Sequence, residues 1–191
     1  MLKIHKTRDY KPHADAMRGV RYLRQPDTPE AEKRPYQLMG ALLLCACSYE
    51  GYLNWIGRKL FPSWEDFERW CSWAAKTGLI ADKIGLTLDR SRKPYQMIKL
   101  LFELRDSLAH MKPDKLYEER EVAELDVTFY EQLQSRVEKH CTSEYIEQFE
   151  QAVIEFVNSI HEKANVTNEG PFWPGSSGGG SSEIRSPKDP R

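Results

Sequence analysis

Cysteine, long apolar runs and clusters of metal-binding side chains are all scarce in this chain. Its four cysteines, Cys45, Cys47, Cys71 and Cys141, form no Cys-x-x-Cys pair and no framework spacing. That excludes a disulfide scaffold and predicts reduced thiols, mostly inside apolar helical patterns. A zinc site from Cys45, Cys47, His140 and Cys141 is disfavoured, because residues two apart on a helix point about 200° apart. No carboxylate–His ligand cluster with metal spacing appears, so no metal or other cofactor is expected and a metal-dependent nuclease is disfavoured. No run of about 18 uncharged apolar residues exists, and no membrane-spanning helix is predicted. The opening residues, MLKIHKTRDYKPH, are basic and lack an apolar stretch. No signal peptide and a cytoplasmic location are therefore expected, where the Asn165-Val166-Thr167 glycosylation triplet has no use.

The composition itself is that of an ordinary globular protein, with 40% hydrophobic and 30% charged residues. A length of 191 residues suits one domain with extensions. The net charge of −1 hides an asymmetry: residues 1–35 carry nine Lys/Arg against five Asp/Glu, residues 36–113 eleven against eight, and residues 114–169 five against fourteen. The first two-thirds can meet a polyanion that the last third repels, although a charge excess also serves simply to solvate a surface.

Residues 1–35 are rich in Arg, Lys and Pro and poor in periodicity, which predicts an irregular basic arm with at most a short helix from Ala14 to Leu23. From Gln37 to about Gly57, Leu38, Leu42, Cys45, Tyr49, Tyr52 and Ile56 recur at three-four spacing, the mark of a core helix. Ser63, after Pro62 and before Trp64-Glu65-Asp66, reads as the N-cap of a helix that Gly78 closes. Phe67, Trp70, Cys71 and Ala74 share one face of it, which assigns the Trp-rich stretch from Trp55 to Trp73 to core packing rather than base stacking. A shorter helical piece near Leu79–Leu86 leads to the charged turn Asp89–Lys93. Pro94 then opens a helix running to about Met111, before Pro113, with the stripe Met97, Leu101, Leu104, Leu108 and Met111. Asp114–Asp126 has no clear pattern and Val127–Lys139 is predicted helical. Ser143 caps a last helix through Phe149, Val153, Phe156, Val157 and Ile160 to about Lys163. The segment GSSGGGSS then marks a flexible tail. The predicted organisation is a basic arm (1–35), a helical domain (36–165) and a disordered Gly/Ser/Pro-rich tail (166–191).

One constellation carries chemistry. Arg105, Asp106 and His110 lie near the end of the helix that begins at Pro94. Fourteen arginines and five histidines make such a spacing easy to obtain by chance, and Arg8-Asp9-Tyr10-Lys11-Pro12-His13 has the same form. Context separates the two, since the second lies in the basic arm, where Pro12 interrupts any helix. Arg105 falls in the row Ile98, Phe102, Arg105, Ala109, where a charge needs a partner, a cleft or an interface. Asp106 and His110 are four apart in the polar row Lys99, Glu103, Asp106, His110, so the carboxylate can orient the imidazole as a proton-transfer group. The bland alternative is an arginine lying over a hydrophobic edge beside a helix-end Asp–His pair. Glu50 occupies the row Leu43, Ala46, Glu50, Leu53, and a carboxylate on such a face calls for pairing, with Arg105 as the partner that would also aim the guanidinium.

The stretch Leu101-Phe102-Glu103-Leu104-Arg105-Asp106-Ser107-Leu108-Ala109-His110 resembles the helix that carries the Arg-x4-6-His element of the HEPN superfamily. The helix from Ala41 to Gly57, with Glu50 and Asn54, resembles an earlier helix of that family's abortive-infection and toxin-like members. The likeness runs from Gln37 to Met111, and Asp rather than Asn at position 106 departs from it. It implies an all-α, antiparallel bundle of about four to six helices. It also implies a homodimer through the motif helix and metal-independent endonucleolytic cleavage of RNA, as in a toxin or antiviral defence effector with an antitoxin or sensor protein as a further partner. Arg105 and His110 would be catalytic, Asp106 would hold His110, and Glu50 would be auxiliary. The local geometry agrees with a shared site, since residues five apart on one helix diverge by about 140°. The alternative is a non-catalytic HEPN-like module for dimerisation or for binding nucleic acid or protein.

Overall fold

The computed structural model describes residues 7–8, 12–24, 34–110, 135–166, 170–172 and 177–178. Among these residues the protein is all-α, with seven helices: α1 (Pro12–Arg24), α2 (Arg34–Leu60), α3 (Trp64–Phe67), α4 (Trp73–Ile84), α5 (Lys93–His110), α6 (Arg136–His140) and α7 (Ser143–Ala164). The extended backbone amounts to a two-residue antiparallel pairing of Thr7–Arg8 with Ser177–Gly178.

Helix α2 is the spine, against which α1, α4, α5 and α7 all pack. Its stripe of Leu38, Leu42, Cys45, Tyr49, Tyr52 and Ile56 is buried, as the spacing predicts. It meets Ile98, Leu101, Phe102 and Leu104 of α5 and Ile146, Phe149, Val153, Val157 and Ile160 of α7. Fully burying one such side chain stabilises the fold by about 1.5–3 kcal/mol relative to leaving it exposed. Burial also raises the pKa of the Cys45 thiol, with a further contribution from the nearby Glu150 charge, so this thiol stays protonated.

The structure departs from the sequence pattern in four places. The expected single helix from Ser63 to Gly78 is two helices separated by a turn. Ser72 supplies the second cap, its Oγ accepting from the Ala75 N–H at 3.2 Å. Gly78 therefore lies inside α4, and Gly85 ends that helix with φ 66°, a left-handed conformation that glycine adopts without strain. The break overturns the assignment of Trp70 to the core, because the face it was to share with Ala74 is not continuous, and Trp70 is 86% exposed. Trp64 is the buried indole instead, seated where a Cβ on Gly57 would overlap it.

The short helix allowed from Ala14 to Leu23 forms as α1, and what differs from the basic arm expected over residues 1–35 is that it packs into the core. Pro12 stands at the first position of α1, where its missing N–H is no loss. His13, Ala14, Met17 and Val20 are buried. Within the stretch expected as a tail, 166–191, Val166 and Phe172 pack against the core, and most of the remainder lies outside the described residues. The cap of α7 is Thr142 rather than Ser143, accepting from the Tyr145 N–H at 3.3 Å. Most of the helix expected over Val127–Lys139 lies outside the described residues. What is described there is Ser135 closing a capping box with Glu138 ahead of α6.

Candidate active site

The α5 row that holds Arg105 begins with Ile98 and Phe102, both buried against the spine. One turn later the row emerges at the edge of the bundle, where the Arg105 side chain is 32% exposed. Its guanidinium carbon lies 4.9 Å from the centre of the Phe102 ring, which supports the charge from below. Phe102 is itself stacked on Trp73 of α4, with centroids 4.9 Å apart. An aromatic floor contributed by α4 and α5 thus sets the height at which the arginine leaves the core.

Two carboxylates flank that guanidinium. Glu50 of α2 approaches with Oε2 3.8 Å from Arg105 Nη2, and Asp106 with Oδ1 3.2 Å from Arg105 Nε. The first distance exceeds hydrogen-bonding reach. The second is a charge contact without hydrogen-bond geometry, because Nε has no hydrogen-bond partner although it is shielded from solvent. Arg105 is therefore held by charge while its N–H groups make no hydrogen bond to the described residues. A shielded donor left in that state is rare in native proteins and calls for an explanation.

Glu50 is more firmly engaged elsewhere. Its Oε1 accepts from Lys76 Nζ of α4 at 3.0 Å, and the Lys76 side chain is only 3% exposed. The pairing of Glu50 with Arg105 across α2 and α5 is present, but it is the weaker of two. Lys76 is the residue that the pattern missed. With Trp73, Ile80 and Ile84 it makes a helical row in which it is the only charge, a signal hidden when the helix is read as ending at Gly78. One turn from Glu50, Asn54 has a buried side-chain Oδ1 without a hydrogen-bond partner.

The structure brings Glu50, Arg105 and Asp106 together, and it does not bring His110 to them. His110 is exposed on the last turn of α5. Among the described residues the Asp106 carboxylate pairs with Arg105 rather than with the imidazole four residues on. The expectation that Asp106 orients His110 is thus not met in this conformation, and a rotation of the exposed Asp106 side chain would be required to meet it. Ala109 is exposed and Leu108 partly so, so the last turn of α5 presents Ala109 and His110 to solvent while Arg105 is only partly exposed.

The second Arg-x4-His element has no such access. His13 is 1% exposed, its Nε2 lies 2.8 Å from the Pro171 carbonyl oxygen, and its ring packs against Tyr52 and Trp55. Among the described residues no group of three or more His, Cys, Asp or Glu side chains is placed to hold a metal ion. None of the described helices is long and apolar enough to cross a membrane. Comparison with known proteins returns no match to a family model, to a curated protein or to a solved structure.

Proposed function

We propose that the chain is a metal-independent RNA endonuclease of the HEPN type, active as a homodimer in which the ends of two α5 helices form one site. The observation that carries this reading is Arg105, partly exposed beside two carboxylates yet with its guanidinium N–H groups free of hydrogen bonds to the described residues. A bridging phosphate supplies the acceptor oxygens that such a fork matches, and the gain is largest where charge develops on the phosphorus oxygens in the transition state. His110 moves a proton, taking it from the ribose 2′-hydroxyl or delivering it to the departing 5′-oxygen. The 2′-oxygen bonds to phosphorus as the bond to the 5′-oxygen breaks. The products are a 2′,3′-cyclic phosphate and a 5′-hydroxyl, with no change of oxidation state. Two helices are needed because Arg105 and His110 diverge by about 140° on one of them.

A non-catalytic binding module is the second reading, favoured by one observation: Asp106 engages Arg105 and leaves His110 without a described orienting partner. Cleavage of a mixed-sequence RNA in EDTA separates the two. The expected result is cleavage by the wild type and a loss of about 10²- to 10⁴-fold for both His110→Ala and Arg105→Ala, with dimerisation unchanged by sedimentation. A wild-type protein that binds RNA without cutting it would establish the binding module instead.

A further inference from the structure

The buried end of the charge cluster carries a consequence for its exposed end. A lysine that is 3% exposed has to be paired, since an unpaired buried ammonium is strongly disfavoured. Lys76 is paired to Glu50 Oε1 at 3.0 Å, and its charge also helps hold the Glu68 carboxyl below the ordinary range, after the larger effect of Arg58. Glu50, 34% exposed and reaching Arg105 at 3.8 Å, is the movable member. From Lys76 it obtains a hydrogen bond, and from Arg105 only a charge contact.

We propose that Lys76 is a positioning residue that withholds Glu50 from Arg105, keeping the guanidinium aimed by the carboxylate but open to the phosphodiester of single-stranded RNA. Resting on the reading above, the inference adds a division of labour between two cations that share one carboxylate. If Lys76 is removed, Glu50 has one cation left within reach. Closing the gap to Arg105 by roughly 1 Å gives a charge-assisted hydrogen bond at about 2.7–2.9 Å. The carboxylate then competes with the phosphate for the same N–H groups. The loss on removing Lys76 is therefore caused by Glu50, and removing Glu50 as well must relieve it. A lysine that merely filled space or contributed long-range charge would behave otherwise.

The test is binding of a single-stranded 2′-O-methyl RNA oligonucleotide, which the 2′-oxygen cannot cleave, followed by fluorescence anisotropy at fixed salt, with thermal unfolding of each variant alongside. Lys76→Met is expected to weaken binding about tenfold. The double variant Lys76→Met/Glu50→Gln should bind more tightly than Lys76→Met alone, within about threefold of wild type. Lys99→Met, an equal charge change on the exposed face of α5, should stay within about twofold. Should Lys76→Met unfold at the assay temperature, Lys76→Gln is read in its place with the same expected loss and the same relief by Glu50→Gln. Wild-type affinity in the Lys76 variant, or a loss that Glu50→Gln leaves in place, overturns the inference while leaving the function intact. Wild-type affinity in Arg105→Ala likewise overturns the inference, whereas wild-type cleavage of RNA by Arg105→Ala overturns the function with it.

Discussion

The pattern Arg-Asp-x-x-x-His occurs twice, at Arg8–His13 and at Arg105–His110, and the fold uses its two histidines in opposite ways. His13 is enclosed by Tyr52, Trp55 and Phe172, with its imidazole joined to the Pro171 carbonyl. It ties the start of α1 to the chain that follows α7. His110 stands exposed at the end of α5, and the arginine of its element is held at the bundle edge. The difference teaches that six letters of sequence specify a chemistry only together with the packing of the helix that bears them. A ring surrounded by aromatic side chains serves as a joint, and a ring in water at a helix end is free to meet a substrate.

The largest expected effect breaks the symmetry between the two histidines directly. His13→Ala removes a buried ring and leaves the Pro171 carbonyl without that partner, and it should destabilise the protein by about 2–4 kcal/mol. His110→Ala should change stability by under about 1 kcal/mol, since an exposed helix-end histidine contributes little beyond its dipole term. Chemical denaturation of the two variants decides the matter, and equal midpoints would show that His13 is not the joint its surroundings describe. His13→Ala is for the same reason unsuitable as a silent control for the catalytic assignment.

A smaller effect separates the arginines of α1 from the arginine of α5. Arg21 Nε donates to Glu150 Oε1 at 2.7 Å, Arg24 Nε lies 3.4 Å from Glu150 Oε2, and the Glu150 side chain is only 3% exposed. This is a closed cluster that fastens α1 to α7, with its carboxylate between two cations. Glu150→Ala should destabilise by about 1–3 kcal/mol, moderated by the freedom of the half-exposed Arg21 to return to water. Arg105→Ala, whose charge contacts are partly exposed and carry no hydrogen bond, should stay under about 1 kcal/mol. If thermal unfolding ranked these two variants the other way, Arg105 would be the structural arginine and the proposed site would lose its principal residue.

Much of this arrangement is legible in the sequence where a pattern is long and local. The α2 stripe, the α5 stripe from Met97 to Leu108 and the placement of Glu50 near Arg105 follow from helical spacing and from the need of a charge on an apolar row for a partner. What is not legible depends on neighbours distant in the chain. The break at residues 68–72 places Ser72 rather than Ser63 as the effective cap, and with it Lys76 moves from the end of one helix into the interior of another. Trp70 is then turned out to the surface, while Trp64 keeps the core place expected of the Trp-rich stretch. The α1 segment offers only a few apolar positions among its arginines, and they become a buried face because α2 and α7 are there to receive them. The partner of Asp106 could not be read either, since His110 and Arg105 are both within its reach on the same helix and a rotamer decides between them.

That last choice can be tested by the smallest of the expected effects. In the structure the Asp106 carboxylate, more than half exposed, sits 3.2 Å from Arg105 Nε. Replacing it by Asn removes a negative charge beside the guanidinium, so phosphate binding in the ground state should be unchanged or slightly tighter. The aim of the fork should suffer, because one of its two flanking charges is gone. Asp106→Asn should therefore lower kcat by less than about tenfold, at an unchanged or reduced KM, with a stability change near the roughly 0–1 kcal/mol typical of exposed pairs. If Asp106 instead turned to His110 in the proposed nuclease, it would hold the residue proposed to move the proton. Its loss would then approach the roughly 10²-fold or greater penalty of disabling that group. A fall in kcat of that size would return Asp106 to the histidine, whereas a small fall with KM held or lowered would assign it to the arginine it touches.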